Sequence, residues 1–301
     1  MSATTLPTTG RDAQARPVRR ARRSHPVRAG MATTLKYATL VLAAVAMLLP
    51  LVSIFLTSLK TDAEANGTES AFTPPRNWLN VDNYVTAFTQ GQLLQAMANT
   101  TIILVVSILG TVIIGSMTAY AVDRFDFRGK RVVLALFLLA TLVPGITTQV
   151  ATFQVVNALG LFDTLGAAIV LYTGTDIVAI YIFVQFIRAI PVALDEAARI
   201  DGASAFRIYR SIILPNLKPA IATVVIIKGI TTYNDFYIPF LYMPSKGLGT
   251  MSTALFRFKG PFGAHWEDIA AGAILVTVPT LVVFLVLQRF IYNGFTSGAV
   301  K

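Results

Sequence analysis

Residues 191–218 read Pro-Val-Ala-Leu-Asp-Glu-Ala-Ala-Arg-Ile-Asp-Gly-Ala-Ser-Ala-Phe-Arg-Ile-Tyr-Arg-Ser-Ile-Ile-Leu-Pro-Asn-Leu-Lys. The run from Val192 to Asp201 is rich in good helix formers, and Gly202 can take the left-handed conformation that ends a helix. Ser204 offers a side-chain oxygen to cap a second helix over Ala205–Leu214, which Pro215 should end because proline brings no N–H. The segment therefore predicts two short helices joined by a glycine turn. Its charged residues place it in contact with water, while the sequence on either side is strongly apolar.

Hydrophobic residues make up 54% of the 301-residue chain and charged residues only 13%, far more apolar surface than a soluble domain of this length buries. A bilayer core of about 30 Å takes about 20 helical residues to cross. Six runs approach that length: Tyr37–Leu56, Thr100–Ala121, Val132–Phe153, Leu165–Ile187, Ala220–Leu241 and Ile269–Phe290. The chain is thus expected to be an all-α membrane protein with six transmembrane helices. The first run exceeds the core of a signal peptide, and Leu56-Thr57-Ser58-Leu59-Lys60 after it offers no A-x-A cleavage site. There are no cysteines, which excludes disulfides and cysteine-ligated metals, and no other metal ligands are singled out.

A net charge of +10 raises the question of nucleic acid, which the placement of the basic residues answers. Eight of the 25 lie in the N-terminal segment through Lys36, and four (Arg124, Arg128, Lys130, Arg131) follow the second run. Five (Arg188, Arg199, Arg207, Arg210, Lys218) follow the fourth, and two (Arg289, Lys301) close the chain. That places nineteen on one side. Lys60, Arg76, Lys246, Arg257 and Lys259 fall on the other, with Lys228 inside a run. By the positive-inside rule both termini are cytoplasmic, residues 188–218 form a cytoplasmic loop, and the charge reports topology and not a nucleic-acid partner. Residues 1–32 are expected to be a disordered basic cytoplasmic tail at the lipid surface, and residues 33–301 the membrane domain.

Within the cytoplasmic loop, Glu196-Ala197-Ala198 is followed by three residues and Gly202, then by nine residues, Ile212, Leu214 and Pro215. This pattern, with Asp201 preceding the glycine, resembles the EAA loop of ABC importer permease subunits, and each specified position is in register. The resemblance extends from the first apolar run onward. Pro74-Pro75-Arg76-Asn77-Trp78, Asn83-Tyr84, Phe88, Tyr233-Asn234-Asp235-Phe236 and Gly298-Ala299-Val300-Lys301 are similar to the maltose-type, carbohydrate-importing branch, although Tyr233 stands where that branch often has tryptophan.

The resemblance implies an ABC importer permease fold in the bacterial cytoplasmic membrane, with Glu196, Ala197, Ala198, Asp201, Gly202, Ile212, Leu214 and Pro215 in a coupling helix that docks on an ATPase. It implies as partners a second permease subunit, usually a different polypeptide, two ABC ATPase subunits, an extracytoplasmic solute-binding protein and a sugar or oligosaccharide substrate. No phosphate loop of the form G-x-x-x-x-G-K-S/T occurs, so ATP and magnesium belong to the ATPase and this chain is expected to hold no cofactor. With His25 and His265 as the two histidines, no Ser-His-Asp arrangement is in view and no enzymatic activity is expected. A same-class importer for a non-sugar solute, or an independent secondary transporter, stays open beside the sugar importer.

Asp176 and Lys228 lie inside predicted spans, 12 and 10 residues from the cytoplasmic ends at Arg188 and Lys218. At 1.5 Å per residue their depths are about 18 and 15 Å. An ionisable residue at such a depth is costly and needs a partner or a polar cavity. Opposite signs at matched depth fit an interhelical pair, and a lining role in a translocation path fits as well. Tyr233, Asn234, Asp235 and Tyr237 offer hydroxyl-binding groups and ring faces of the kinds that hold sugars, with helix packing as the alternative. Pro144 and Pro279 are expected to kink the third and sixth spans. The aromatic segment Leu255–Trp266, with Phe256, Arg257, Phe258, Lys259, Phe262 and Trp266, is a candidate docking surface for the binding protein or an interfacial anchor.

Reporter fusions test the charge distribution. Fusions after Leu94 and Lys259 should report an external location, those after Arg131 and Lys301 an internal one, and a cytoplasmic signal at Lys259 would refute the topology.

Overall fold

The computed structural model of the chain describes the backbone at residues 26–174, 176–260 and 263–299, and side chains from residue 33 to 282 within those ranges and at Leu285. The chain divides into two units, 1–51 and 52–301. In the first, helix α1 (Pro26–Ser58) begins with a proline, whose fixed φ and missing N–H suit a first helical position. The last seven residues of the segment expected as a tail are therefore helical, while the rest of it lies outside the described residues. Side chains from Thr33 to Val52 are exposed, including Leu40, Val41, Leu42 and Met47, as befits a helix solvated by lipid.

In the second unit, the end of α1 is followed by the short helices α2 (Asp62–Ala65) and α3 (Asp82–Gln90). Asn83 of α3 donates to the carbonyls of Ser58 and Lys60 at 2.8 and 2.7 Å, and Tyr84 shares a 2.7 Å hydrogen bond with Ser58 Oγ. The first of these bonds satisfies the orphan carbonyl of Ser58 at the end of α1.

The long helix α4 (Leu93–Arg124) organises everything else. It packs against α7 (Leu165–Thr173), α8 (Ile177–Arg188), α12 (Lys218–Asn234) and α14 (Met251–Ala254). Ser107, Thr111, Gly115 and Ala119 recur every fourth residue and are buried, whereas Ile102, Val105, Leu109 and Ile113 are exposed. A soluble helix would bury the second set. Lipid is as apolar as leucine, so helices in it associate through small residues that let backbones approach. A Cβ on Gly110 would stand 2.4 Å from Thr173 Cγ2, and one on Gly115 would stand 3.3 Å from the Phe183 ring.

Three of the expected spans are broken in the structure. Val132–Phe153 becomes α5 (Lys130–Leu142) and α6 (Gln149–Ala158), separated at Pro144. Val143 is extended (φ −82°, ψ 114°), as the residue before a proline tends to be, so Pro144 interrupts its helix outright where a kink was expected. Leu165–Ile187 splits into α7 and α8 around Gly174 and Asp176. Ala220–Leu241 splits into α12 and α13 (Tyr237–Tyr242). The sixth run lies in α15 (Trp266–Ala299), with Pro279 inside the helix. Among the described residues, Thr33–Ser58 and Leu93–Arg124 are long and apolar enough to cross a membrane alone. The pairs Leu165–Thr173 with Ile177–Arg188, and Ala205–Asn216 with Lys218–Asn234, reach that length together.

At the end of α4 a buried arginine ties these helices to the loop between α8 and α12. Arg124 Nη2 donates to the carbonyls of Ile187 (3.2 Å), which also accepts the Ile190 amide, and Ile190 (2.6 Å), just past the end of α8. Its Nε lies 2.9 Å from Asp195 Oδ2 in α9 (Val192–Ile200), with the two side chains 6% and 2% exposed. Neither atom of that contact satisfies hydrogen-bond geometry, so the attraction is electrostatic and not directional. Asp123 accepts from Arg124 Nη1 (3.2 Å) and Arg188 Nε (3.1 Å), extending a chain of alternating charges. Removing one member of a buried pair strands the other, so Arg124→Met or Asp195→Leu alone should each destabilise the chain by about 3–5 kcal/mol. The double replacement should recover part of that, with a coupling of about 1–3 kcal/mol in a double-mutant cycle read by thermal unfolding in detergent. Strictly additive losses would show that the two side chains act independently.

Candidate functional site

The loop quoted at the outset folds as two helices around a glycine turn. α9 ends in a Schellman arrangement: the Ala203 amide donates to the Ala198 carbonyl at 2.9 Å and the Gly202 amide to the Arg199 carbonyl at 3.0 Å. Gly202 has φ +79°, the left-handed conformation that its place in the sequence anticipates. Ser204 caps α10 (Ala205–Ile208) by accepting from the Arg207 amide at 3.3 Å. The second helix does not stop at Pro215. It widens into a π turn at Tyr209–Ile213, continues as α11 (Leu214–Asn216), and bends by 72° into α12. A proline both lacks an N–H and crowds the carbonyl four residues earlier, and the wider turn ahead of it relieves both demands without ending the helix.

The motif residues divide between two jobs. Ala198, Ile212 and Leu214 pack against a core that includes Phe183, Ile187, Ile208 and Ile213, and buried Tyr209 shares a 2.7 Å hydrogen bond with Ser116 of α4. Glu196, Ala197, Asp201, Gly202 and Pro215 are exposed, as are Val192, Leu194 and Phe206, and Ile200 is 87% exposed. The π turn is thus anchored in the helical core while α9 turns an apolar face with charged edges outward. That combination fits a surface that is to be covered by another protein. Sequence reasoning missed the anchor. Asp195 lies one turn from half-buried Ala198 on the inward face, which was a readable signal, but Arg124 had been counted only as a topological charge.

Deeper in the helices, Lys228 Nζ of α12 lies 2.9 Å from Asp176 Oδ2, so the two charges at matched depth do pair. Asp176 also caps α8 by accepting from the Ala179 amide at 3.0 Å. The ammonium sits 5.9 Å from the centre of the Tyr172 ring, and Tyr172 donates at 2.9 Å to Asp235 Oδ2. Asp235 accepts from the Tyr237 amide at 2.8 Å, and Ser252 donates to the Asp235 carbonyl at 2.7 Å. The break between α7 and α8 is therefore joined through side chains to the break between α12 and α13, and the Ala179 amide, the Tyr237 amide and the Asp235 carbonyl at these breaks have side-chain partners. Irregular backbone at membrane depth survives only on those terms. Lys228 and Asp176 keep 15% and 19% of their side-chain surface exposed, so the pair is not sealed.

The remaining candidates separate. Tyr233 donates to the Val276 carbonyl of α15 at 2.8 Å, a packing role. Asn234 is exposed and bonds back to the Ile230 carbonyl at 2.9 Å, and Tyr237 is exposed. In the aromatic segment Leu255–Trp266, Phe258 is buried against Ala87 and Ala271, while Phe256 joins exposed Phe236 and Phe240 at ring separations of 5.6 and 5.1 Å. Lys259 lies over the Phe256 ring, Trp266 is exposed, and Phe262 lies outside the described residues. An open groove of about 760 Å³ along α3 and the start of α4, lined by Phe88, Gln92, Gln95 and Ile102 among others, shares no residue with the charged pair and holds no charge.

The pair yields a direct test. Asp176→Asn or Lys228→Met alone should lower both assembly and transport, because each leaves an unpaired polar or charged group at membrane depth. The double replacement should recover part of the loss. A double variant no better than the worse single one in both readouts would remove the pairing role.

Comparison with known proteins places this geometry. Residues 111–297 match the family described as binding-protein-dependent transport system inner membrane component. The trehalose transport system permease protein SugB of Mycobacterium tuberculosis is 35% identical over 257 residues, covering 84% of this chain and 92% of that protein. The melibiose/raffinose/stachyose import permease protein MelC of Bacillus subtilis is 31% identical over 279 residues, covering 91% and 100%. Among solved structures, a chain of a bacterial ABC transporter involved in import of the acidic polysaccharide alginate superposes with a TM-score of 0.72 at 20% identity, covering 89% of this chain and 99% of that one. On the family match and these identities, the chain belongs to the inner membrane components of binding-protein-dependent transport systems.

Proposed function

We propose that this chain forms half of a two-permease pore that imports a sugar or small oligosaccharide across the bacterial cytoplasmic membrane, driven by two separate ATPase subunits and supplied by an extracytoplasmic binding protein. Both termini and the Glu196–Pro215 loop face the cytoplasm in this reading, and six segments cross the membrane, some of them as broken helices. ATP and its magnesium ion are held by the ATPase, and this chain receives the motion. The observation that carries the reading is the outward face of α9, where Leu194 and Ile200 lie exposed beside Glu196 and Asp201 on a helix whose inner side is clamped by Arg124. A rigidly anchored helix with a free apolar face is suited to passing displacement from a docked partner into α4, α8 and α12.

The sugar assignment rests on the named substrates of the similar permeases together with the groups around the fifth-span break. Exposed Asn234 and Tyr237, with the rings of Phe236, Phe240 and Phe256, supply hydrogen-bonding groups and aromatic faces of the kinds sugars use. Uptake of labelled oligosaccharides by cells with and without the chain tests it, and loss of amino-acid or ion uptake alone would redirect it to another solute.

Gly202 is the sharpest probe of coupling. A Cβ there would meet nothing within 4 Å, so a substitution acts through backbone conformation and not through a clash. A β-branched residue in the left-handed region costs about 1–2 kcal/mol or more, whereas asparagine tolerates it. Gly202→Val should leave membrane insertion intact and reduce both uptake and substrate-stimulated ATP hydrolysis in the assembled transporter, while Gly202→Asn should largely retain them. Wild-type uptake and stimulated hydrolysis in Gly202→Val would show that this loop is not the transmission element.

A further inference from the structure

The tertiary structure brings together a set of side chains that the sequence analysis did not single out. Asp62 opens α2, His265 immediately precedes α15, and Glu267 is the second residue of α15. His265 Nδ1 lies 3.3 Å from Glu267 Oε1 and 3.8 Å from Asp62 Oδ1, and one donor atom from each residue falls within 4.8 Å of the others. Donors held at 2.0–2.1 Å around a tetrahedral ion are separated by about 3.4 Å, so the cluster needs only small side-chain movements to close on one.

Ordinary hydrogen bonding leaves this cluster unbalanced. Glu267 is 5% exposed, and its Oε2 is buried with no hydrogen-bond partner. A buried carboxylate oxygen left empty is the kind of exception that an ion explains. Asp268, also buried, adds a further carboxylate beside it. Among the described residues no lysine or arginine pairs with Asp62, Glu267 or Asp268. Arg257 donates instead to Gln92 Oε1 at 2.8 Å and to the Gly91 and Lys246 carbonyls, and Lys60 donates to the Ser70 carbonyl. A single imidazole cannot satisfy both Asp62 and Glu267 with one Nδ1 proton.

We propose that Asp62, His265 and Glu267 bind a divalent transition-metal ion of the zinc type. The imidazole nitrogen selects against calcium and magnesium, which prefer all-oxygen shells, and three protein donors leave a fourth position for water. The surroundings hold the donors in place. Asn66 Nδ2 donates to Asp62 Oδ1 at 2.7 Å, in the way outer-shell groups orient a metal-bound carboxylate. The Thr61 amide is bonded to Glu64 Oε2 at 2.8 Å, which fixes the start of α2, and the His265 amide donates to the Phe258 carbonyl at 3.0 Å, which fixes the approach to α15. Between Phe258 and His265, Lys259–Gly260 pairs antiparallel with Gly263–Ala264. A hollow of about 630 Å³ bordered by Asp62, Asn66, Arg257, Gly263 and His265 gives an ion access from solution, with the Arg257 guanidinium engaged by Gln92 and the Gly91 and Lys246 carbonyls. Bound there, the ion ties the turn after the first span to the start of the last helix.

The test uses the full-length chain purified in detergent, stripped with chelator, and then exposed to Zn²⁺ or Co²⁺ alone. The wild type should rebind one Zn²⁺ per chain and give the intense visible absorption of tetrahedral Co²⁺, with excess Mg²⁺ failing to displace either. Asp62→Asn and His265→Gln, at exposed positions where folding should be unaffected, should each weaken Zn²⁺ binding by at least the roughly tenfold that even outer-shell changes cost. Glu267→Gln should weaken it too, and His25→Gln should not. No stoichiometric Zn²⁺ in the wild type, or equal Zn²⁺ affinity in the wild type and both Asp62→Asn and His265→Gln, would overturn the proposal.

Discussion

A backbone amide or carbonyl at membrane depth has no water to bond, and this constraint governs the molecule more than any single contact. The long helix α4 meets it by being continuous, and the broken segments meet it with side chains. Asp176 caps α8, Asp235 takes up the first amide of α13, and Ser252 covers the carbonyl that the second break exposes. Each cap is itself neutralised or bonded in turn, Asp176 by Lys228 and Asp235 by Tyr172. The same residues thus serve the backbone and one another, so irregular backbone between the helices is compatible with a stable fold.

Because lipid offers no hydrophobic gain for helix association, close approach has to supply it. The small residues along α4 perform that task, and they determine which neighbours can come near: Thr173 faces Gly110, Phe183 faces Gly115, and Tyr209 faces Ser116. The last of these contacts links the helical core to the loop carrying Gly202. Arg124 adds a second link by holding both the end of α8 and Asp195. The loop therefore has its inner side fixed at two points, while most of α9 is exposed.

The turns after α1 and before α15 follow a different logic. These turns are short, and their order comes from individual polar bonds: Asn83 onto the carbonyls of Ser58 and Lys60, Thr61 with Glu64, and Asn99 to the carbonyls of Gly247 and Gly249 at 2.9 Å. In such a setting one ion bridging Asp62, His265 and Glu267 adds a cross-link between segments far apart in sequence. Small surface regions without an extensive core commonly gain order in this way.

Much of this was legible in the residues themselves. The apolar runs, the bias of the basic residues and the register of Glu196–Pro215 are local or additive properties, and they determined the membrane class, the expected topology, the helix–turn–helix loop and the left-handed Gly202. Pairing of Asp176 with Lys228 was foreseeable because depth along a helix is a count of residues. Other features depended on which surfaces meet. That Pro144, Gly174 and Asp235 break their spans was hidden because apolar composition reads the same through a break, and only neighbouring side chains decide whether the freed backbone groups find partners. Pro215 continues its helix through a π turn whose Tyr209 is bonded to Ser116 of α4, a contact set by packing. Arg124 with Asp195, and Asp62 with His265 and Glu267, are joined across large separations in sequence, and such encounters are set by the packing of helices in three dimensions and not by any period along the chain.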